Sequence, residues 1–125
     1  MPAAVEPALV HGDFRLGNLL VAPDGRVAVL DWELAHLGDP AEDLGWLCAR
    51  PWRFGGPGEA AGLGSRDELL SAYASAGGSG VDPERLHFWE VLASLKWGVI
   101  CQVQAARHTP EHPSLEHAAI GRRVT

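Results

Sequence analysis

Apolar residues fall into two regimes along the chain. Up to residue 31 they come in short runs: Leu9-Val10, then residues 18–22 (NLLVA), then residues 26–31 (RVAVLD). The last two runs flank Pro23-Asp24-Gly25, a turn signal, and read as two strands. Joined as a hairpin, they bring Asn18 and Asp31 near the same end. Leu9 and Val10 form a short apolar entry into His11-Gly12-Asp13.

Beyond residue 39 the spacing becomes helical. Asp39-Pro40-Ala41-Glu42 has a capping pattern and predicts a helix from Pro40 to about Ala49. Residues 51–64, rich in Gly and Pro, read as a flexible loop. Ser65-Arg66-Asp67-Glu68 is a second capping box, opening a helix that ends near Gly77-Gly78. Asp82-Pro83 opens a longer one, reaching about Arg107. Leu86, Trp89, Leu92 or Ala93, Leu95 or Lys96, Val99, Ile100 and Val103 give it a substantial apolar face. Residues 114–123 start a fourth helical pattern. The order predicts an α+β chain, a hairpin followed by helices, in one domain over residues 1–125, with the loop and hairpin in 8–33 and the helices in 39–125.

Composition narrows the function. The 125 residues are 46% hydrophobic and 21% charged, which excludes disorder and collagen. A net charge of −6 argues against nucleic acid and against an anionic membrane surface as partners. No apolar run approaches the about 20 residues that span a bilayer, and the N-terminus is no signal peptide. A cytoplasmic chain is expected. Cys48 and Cys101 stand far apart; a disulfide is formally open, but free buried thiols fit a reducing compartment better. Nine of the ten basic residues are arginines, and the one lysine is Lys96.

The candidate chemistry lies in His11-Gly12-Asp13-Phe14-Arg15-Leu16-Gly17-Asn18 and in Asp31 at the end of the next strand. Asp13, Asn18 and Asp31 are oxygen-bearing side chains brought to one loop and hairpin. That donor set suits Mg²⁺, which takes a few protein oxygens plus water and phosphate. Other tempting groupings carry less. His108, His112 and His117 are interrupted by Pro110 and Pro113 and have no nearby cysteine, so zinc is disfavoured. The glycines at 55, 56, 58, 62 and 64 follow no strand and lead to no Gly-Lys-Ser/Thr, so they read as loop and not as a phosphate cradle. Asp24 reads as a turn residue and Asp39 as a helix cap. Trp32 and Trp46 read as core, and Trp89 and Trp97 as packing on the long helix.

The His-Gly-Asp…Asn motif, followed by a strand and Leu30-Asp31-Trp32-Glu33, resembles the catalytic loop and metal aspartate of the kinase-like fold. It looks most like the aminoglycoside phosphotransferase and choline kinase superfamily. Across VHGDFRLGNLL and VLDWELAHLGDPAEDLGWL it is similar to the phosphotransferase domains related to those linked to acyl-CoA dehydrogenases. The specific likeness covers roughly residues 9–50.

The resemblance implies a C-terminal, mainly helical kinase lobe that moves the γ-phosphate of ATP to a small-molecule hydroxyl. Asp13 would accept the hydroxyl proton. Arg15 would steady a phosphate oxygen. Asn18 and Asp31 would hold Mg²⁺ on the ATP phosphates, with Glu33 a second metal contact. His11 would fix the loop, and Asp43 would brace it from the following helix. Too few residues precede His11 for the small lobe with its nucleotide-gripping lysine, and Lys96 stands far downstream. A fragment lacking its N-lobe is therefore expected, with little or no turnover alone. The competing reading is a non-catalytic kinase-like remnant that binds a partner or metabolite. Aminoglycosides, choline-like alcohols and hydroxyacyl-CoA compounds remain open as acceptors, with the motif leaning toward the last.

Overall fold

The structure, a computed structural model, describes residues 3–78, 80–107, 109 and 113–121. Strand β1 (Ala8–Val10) leads into the candidate loop, which closes with a 3₁₀ turn at Leu16–Asn18. Strands β2 (Leu19–Val21) and β3 (Val27–Val29) form the expected hairpin, pairing Leu19 with Val29 and Val21 with Val27. Its connection is a tight turn. The Gly25 amide donates to the Ala22 carbonyl at 2.9 Å, and Gly25 takes φ 84°, the left-handed conformation that glycine adopts without a Cβ clash. The strands are shorter than the apolar runs, because the ladder gives way to 3₁₀ turns at Leu16–Asn18 and Trp32–Leu34.

A fourth strand, β4 (His36–Gly38), is unannounced by any apolar run. It pairs antiparallel with β1, Val10 opposite His36 and Ala8 opposite Gly38. His36-Leu37-Gly38 holds a single apolar side chain and ends on glycine, so no pattern marks it as a strand. Fold class is α+β: two small antiparallel sheets, then helices.

Helix α1 (Ala41–Cys48) starts at Asp39-Pro40, where the Asp39 Oδ1 accepts the Ala41 amide at 2.9 Å. The reciprocal half of the expected capping box does not form. Glu42 turns to the His36 ring (3.2 Å), and the second Asp39 oxygen pairs with the buried Arg85 guanidinium. Helix α2 (Arg66–Ser75) has the full box: Ser65 Oγ accepts the Glu68 amide at 3.1 Å, and Glu68 Oε2 accepts the Ser65 amide at 2.7 Å. At its end Gly77 adopts φ 94° and the Gly78 amide donates to the Tyr73 carbonyl, a Schellman closure. Helix α3 (Pro83–Ala106) opens with Asp82 Oδ1 accepting the Arg85 amide at 2.8 Å. Helix α4 is Leu115–Gly121, and the further residues of the predicted fourth helix, 122 and 123, lie outside the described residues.

The chain divides into two compact units, residues 1–93 and 94–125, so the division falls within α3 and not between hairpin and helices. In the first unit Leu44, Cys48, Ala60 and Leu86 form the core, with Leu69, Leu70, Tyr73 and Val81 packed against it. Full burial of Leu86 contributes about 2–3 kcal/mol. Helices α1 and α3 cross closely at Gly45, where a Cβ would stand 2.6 Å from the Trp89 backbone. Burial pushes the Cys48 thiol up to about 11, with the Glu90 carboxylate adding to it, so it stays protonated at neutral pH and acts as an apolar core residue. In the second unit Cys101 is fully buried. Both cysteines are free thiols.

The apolar face of α3 is only partly buried: Leu86 and Ala93 are inside, while Leu92, Leu95, Val99 and Val103 are exposed. Helical spacing marks a face but does not say whether anything covers it. Residues 51–64, expected to be a flexible loop, fold tightly. Ala60 and Ala61 are buried, and the Ala61 amide donates to the Leu47 carbonyl at 3.1 Å. Gly56, Gly58 and Gly62 serve close backbone approach: a Cβ on Gly56 would lie 2.5 Å from the Gly62 carbonyl oxygen. Arg53 and Arg66 both reach Glu90, and Arg66 also pairs with Glu59, which ties the loop to α3.

Candidate active site

The loop after β1 is shaped by one carboxylate. Asp43, in the first turn of α1, accepts the His11 amide at 2.7 Å on Oδ2 and the Gly12 amide at 2.9 Å on Oδ1. Gly12 takes φ 85°, and a Cβ there would stand 2.7 Å from the Leu34 carbonyl oxygen, so only glycine fits. His11 is buried. Its Nδ1 accepts the Asp13 amide at 3.2 Å, which puts the ring proton on Nε2, and that atom donates to the Leu30 carbonyl at 2.7 Å. His11 thus links the loop to the end of β3. The Trp32 ring lies 4.7 Å from it, centroid to centroid. Trp32 itself is 47% exposed, so it is not the core residue its size led us to expect. Its Nε1 donates to the Val29 carbonyl at 2.9 Å.

Asp13 is the meeting point. Its Oδ1 accepts Trp46 Nε1 at 2.8 Å and Arg15 Nε at 3.2 Å; its Oδ2 accepts Asn18 Nδ2 at 2.9 Å and the same Arg15 Nε at 3.0 Å. The Arg15 guanidinium lies over the Trp52 ring, 5.2 Å from its centroid, and Trp52 packs on Trp46 at 5.3 Å. It also crosses Gly17, where a Cβ would be 2.3 Å from Nη1. The terminal nitrogens of Arg15 make no hydrogen bond among the described residues, so they are available to an anion.

Asn18 is buried, and its Nδ2 donates to both the carbonyl and the carboxylate of Asp13. Two acceptors on that side fix the amide orientation and leave Oδ1 facing away. The Leu30 amide donates to the Asn18 carbonyl at 2.8 Å, so the hairpin register sets Asn18 one residue from Asp31. Asp31 is exposed and adopts φ 68°, ψ 57°. A non-glycine residue in this left-handed region carries strain, and such residues concentrate at functional sites. Its carboxylate makes no hydrogen bond or ion pair among the described residues. Glu33, in the first turn of the 3₁₀ segment that follows, is exposed and likewise makes none.

These donors fit a hard divalent cation. A carbonyl oxygen from Asn18 and a free carboxylate from Asp31 are the sparse oxygen set that Mg²⁺ accepts when phosphate and water complete its shell. No cluster of three or more His, Cys, Asp or Glu that could hold a metal ion occurs among the described residues. Of the histidines weighed for zinc, His108 and His112 lie outside the described residues, as does the His117 side chain.

Sequence reasoning singled out the loop residues and Asp43 but missed the partners of Asp13 and Arg15. Trp46 was read as core, and it is buried, yet it also donates to Asp13. Trp52 carried no signal, because nothing in its spacing ties it to residue 15.

Residues 1–89 match the model of the phosphotransferase enzyme family, and the chain belongs to that family. It is 35% identical over 113 residues to acyl-CoA dehydrogenase family member 11 of Homo sapiens, covering 82% of this chain and 14% of that protein. With acyl-CoA dehydrogenase family member 10 of Mus musculus it shares 50% identity over 50 residues, 38% of this chain and 5% of the relative. With the probable acyl-CoA dehydrogenase IBR3 of Arabidopsis thaliana it shares 45% over 42 residues, 32% of this chain and 5% of the relative. The chain therefore spans a small part of these relatives. No solved structure gives a significant match. No helix among the described residues is long and apolar enough to cross a membrane.

Proposed function

We propose that the chain is the catalytic lobe of a kinase-like phosphotransferase, one that moves the γ-phosphate of ATP to a hydroxyl of a small molecule in the cytoplasm. The observation that carries this reading is the convergence of Arg15 and Asn18 on the Asp13 carboxylate, with Asp31, strained and without a partner among the described residues, beside Asn18. Asp13 takes the acceptor proton as the hydroxyl oxygen bonds to the γ-phosphorus. The bond to the bridging oxygen breaks, and ADP leaves with that electron pair. Arg15 steadies a phosphoryl oxygen through its free terminal nitrogens. Asn18 Oδ1 and the Asp31 carboxylate, with Glu33 as a further oxygen, would hold Mg²⁺, which supplies neutralisation of charge on the phosphates. His11 and Asp43 hold the loop in place.

For the acceptor we favour a hydroxyacyl thioester, a choice supported by relatives named as acyl-CoA dehydrogenase family members. One observation favours the competing remnant reading: the Asp13–Arg15 ion pair, at 3.0 Å, occupies the carboxylate that an acceptor hydroxyl must reach.

Transfer of label from γ-³²P-ATP separates the two. In the longest reading frame that contains residues 1–125, label should pass to a hydroxyacyl-CoA and not to kanamycin. Asp13→Ala should lower that rate by about 10³-fold. Preference for kanamycin would refute the acceptor, and no transfer to any hydroxyl compound would leave the remnant reading standing.

A further inference from the structure

The rotation of an aspartate's carboxylate plane has no strong preference of its own, because the terminal torsion of Asp is broad. The direction of Asp13 is therefore set by its donors. Of the three, Arg15 is the least enclosed, 29% exposed at its side chain, and its single Nε–H is shared between the two oxygens. The other two are fixed. Asn18 is 5% exposed and Trp46 3%, and they bond different oxygens: Asn18 Nδ2 to Oδ2, Trp46 Nε1 to Oδ1. Besides the shared Arg15 Nε, each oxygen thus has one rigid donor of its own.

Trp46 belongs to α1, 33 residues away in sequence from Asp13. It sits three positions after Asp43, so the two share a helix face. That face holds the loop twice: Asp43 takes the His11 and Gly12 amides, and Trp46 takes the Asp13 side chain. Trp52 packs against the Trp46 ring and fixes its plane.

We infer that Trp46 is a positioning residue for Asp13, aiming the carboxylate at the acceptor hydroxyl through its indole N–H. The inference rests on the phosphotransferase reading and adds a residue to it. Packing alone would be served by phenylalanine; positioning requires the N–H.

The test is steady-state and single-turnover phosphoryl transfer from ATP to a hydroxyacyl-CoA, again in the longest reading frame that contains the chain. Trp46→Phe should lower kcat about tenfold while leaving the KM for ATP within about twofold, since the lost interaction acts on the reacting group and not on nucleotide binding. Replacement of Trp46 by 3-benzothienylalanine exchanges N–H for sulfur at nearly constant shape. It keeps the fold and should reproduce the kcat loss even if the phenylalanine variant is unstable. On an Asp13→Asn background the loss should shrink, because the two residues act as one unit. A benzothienyl variant with full kcat, or a loss fully additive with Asp13→Asn, overturns the inference and leaves the phosphotransferase reading intact. A wild-type protein that transfers phosphate to no hydroxyl compound overturns both.

Discussion

The loop that carries Asp13 and the hairpin end that carries Asp31 are joined by a backbone hydrogen bond between Asn18 and Leu30, yet they are built differently. His11, Gly12 and Asn18 are buried, and both oxygens of the Asp13 carboxylate have donors. Across the gap Asp31, Trp32 and Glu33 are exposed. The hairpin behind them shows Leu20 and Val21 to solvent at 59% and 70%. The contrast separates two tasks. A group that must meet a reacting atom is pre-set by the protein, which lowers the cost of orientation at the moment of reaction. On the proposed reading Asp31, open and in the left-handed region, takes its remaining partners from the cation and nucleotide.

The sharpest way to break the buried half is to remove its organiser. Asp43→Ala leaves the His11 and Gly12 amides without their charged acceptor. It should cost about 3 kcal/mol and lower Tm by roughly 10 °C, measured by thermal denaturation. A loss under 1 kcal/mol would mean that the two bonds at 2.7 and 2.9 Å do not hold the loop.

The open half should respond in the opposite sense. Asp31→Gly relieves the left-handed strain and should raise stability by about 0.5–1 kcal/mol, net of glycine's extra chain entropy, in urea denaturation. If the variant is less stable than wild type, Asp31 is held by contacts and not kept under strain for a ligand.

A smaller effect tests the outer support of the buried half. The Leu34 carbonyl, and then the Glu42 carboxylate, raise the His36 pKa above its ordinary 6.5. His36 therefore adds stability that is fully present below about pH 6.5 and fades as pH rises through the raised value. The side chain is 44% exposed, so screening limits this to a few tenths of a kcal/mol. Comparing wild type and His36→Gln by urea denaturation from pH 6 to 9 should show the gap closing as pH rises. A gap that widens would contradict the assignment.

Much of this was legible in the residues, for identifiable reasons. The Ser65–Glu68 box and the Asp82-Pro83 start are local chemistry, written within four positions, and the helix starts fall where they indicate. The hairpin was legible because the Pro23-Asp24-Gly25 turn fixes its register. What stayed hidden is long-range. Strand β4 pairs with β1 across the whole loop, and the Trp46 bond to Asp13 and the Arg15 stack on Trp52 depend on how α1 and the following segment fold back. Residues 51–64 misled because glycine marks both loose loops and close backbone packing, and only the neighbours decide which.

The most direct test of the central claim is calorimetric titration of ATP with and without Mg²⁺, on the longest reading frame that contains the chain and on its Asp31→Ala variant. The account predicts that Mg²⁺ tightens ATP binding at least tenfold in the wild type and that Asp31→Ala loses most of that gain. Mg²⁺-dependent binding that survives Asp31→Ala unchanged would contradict it.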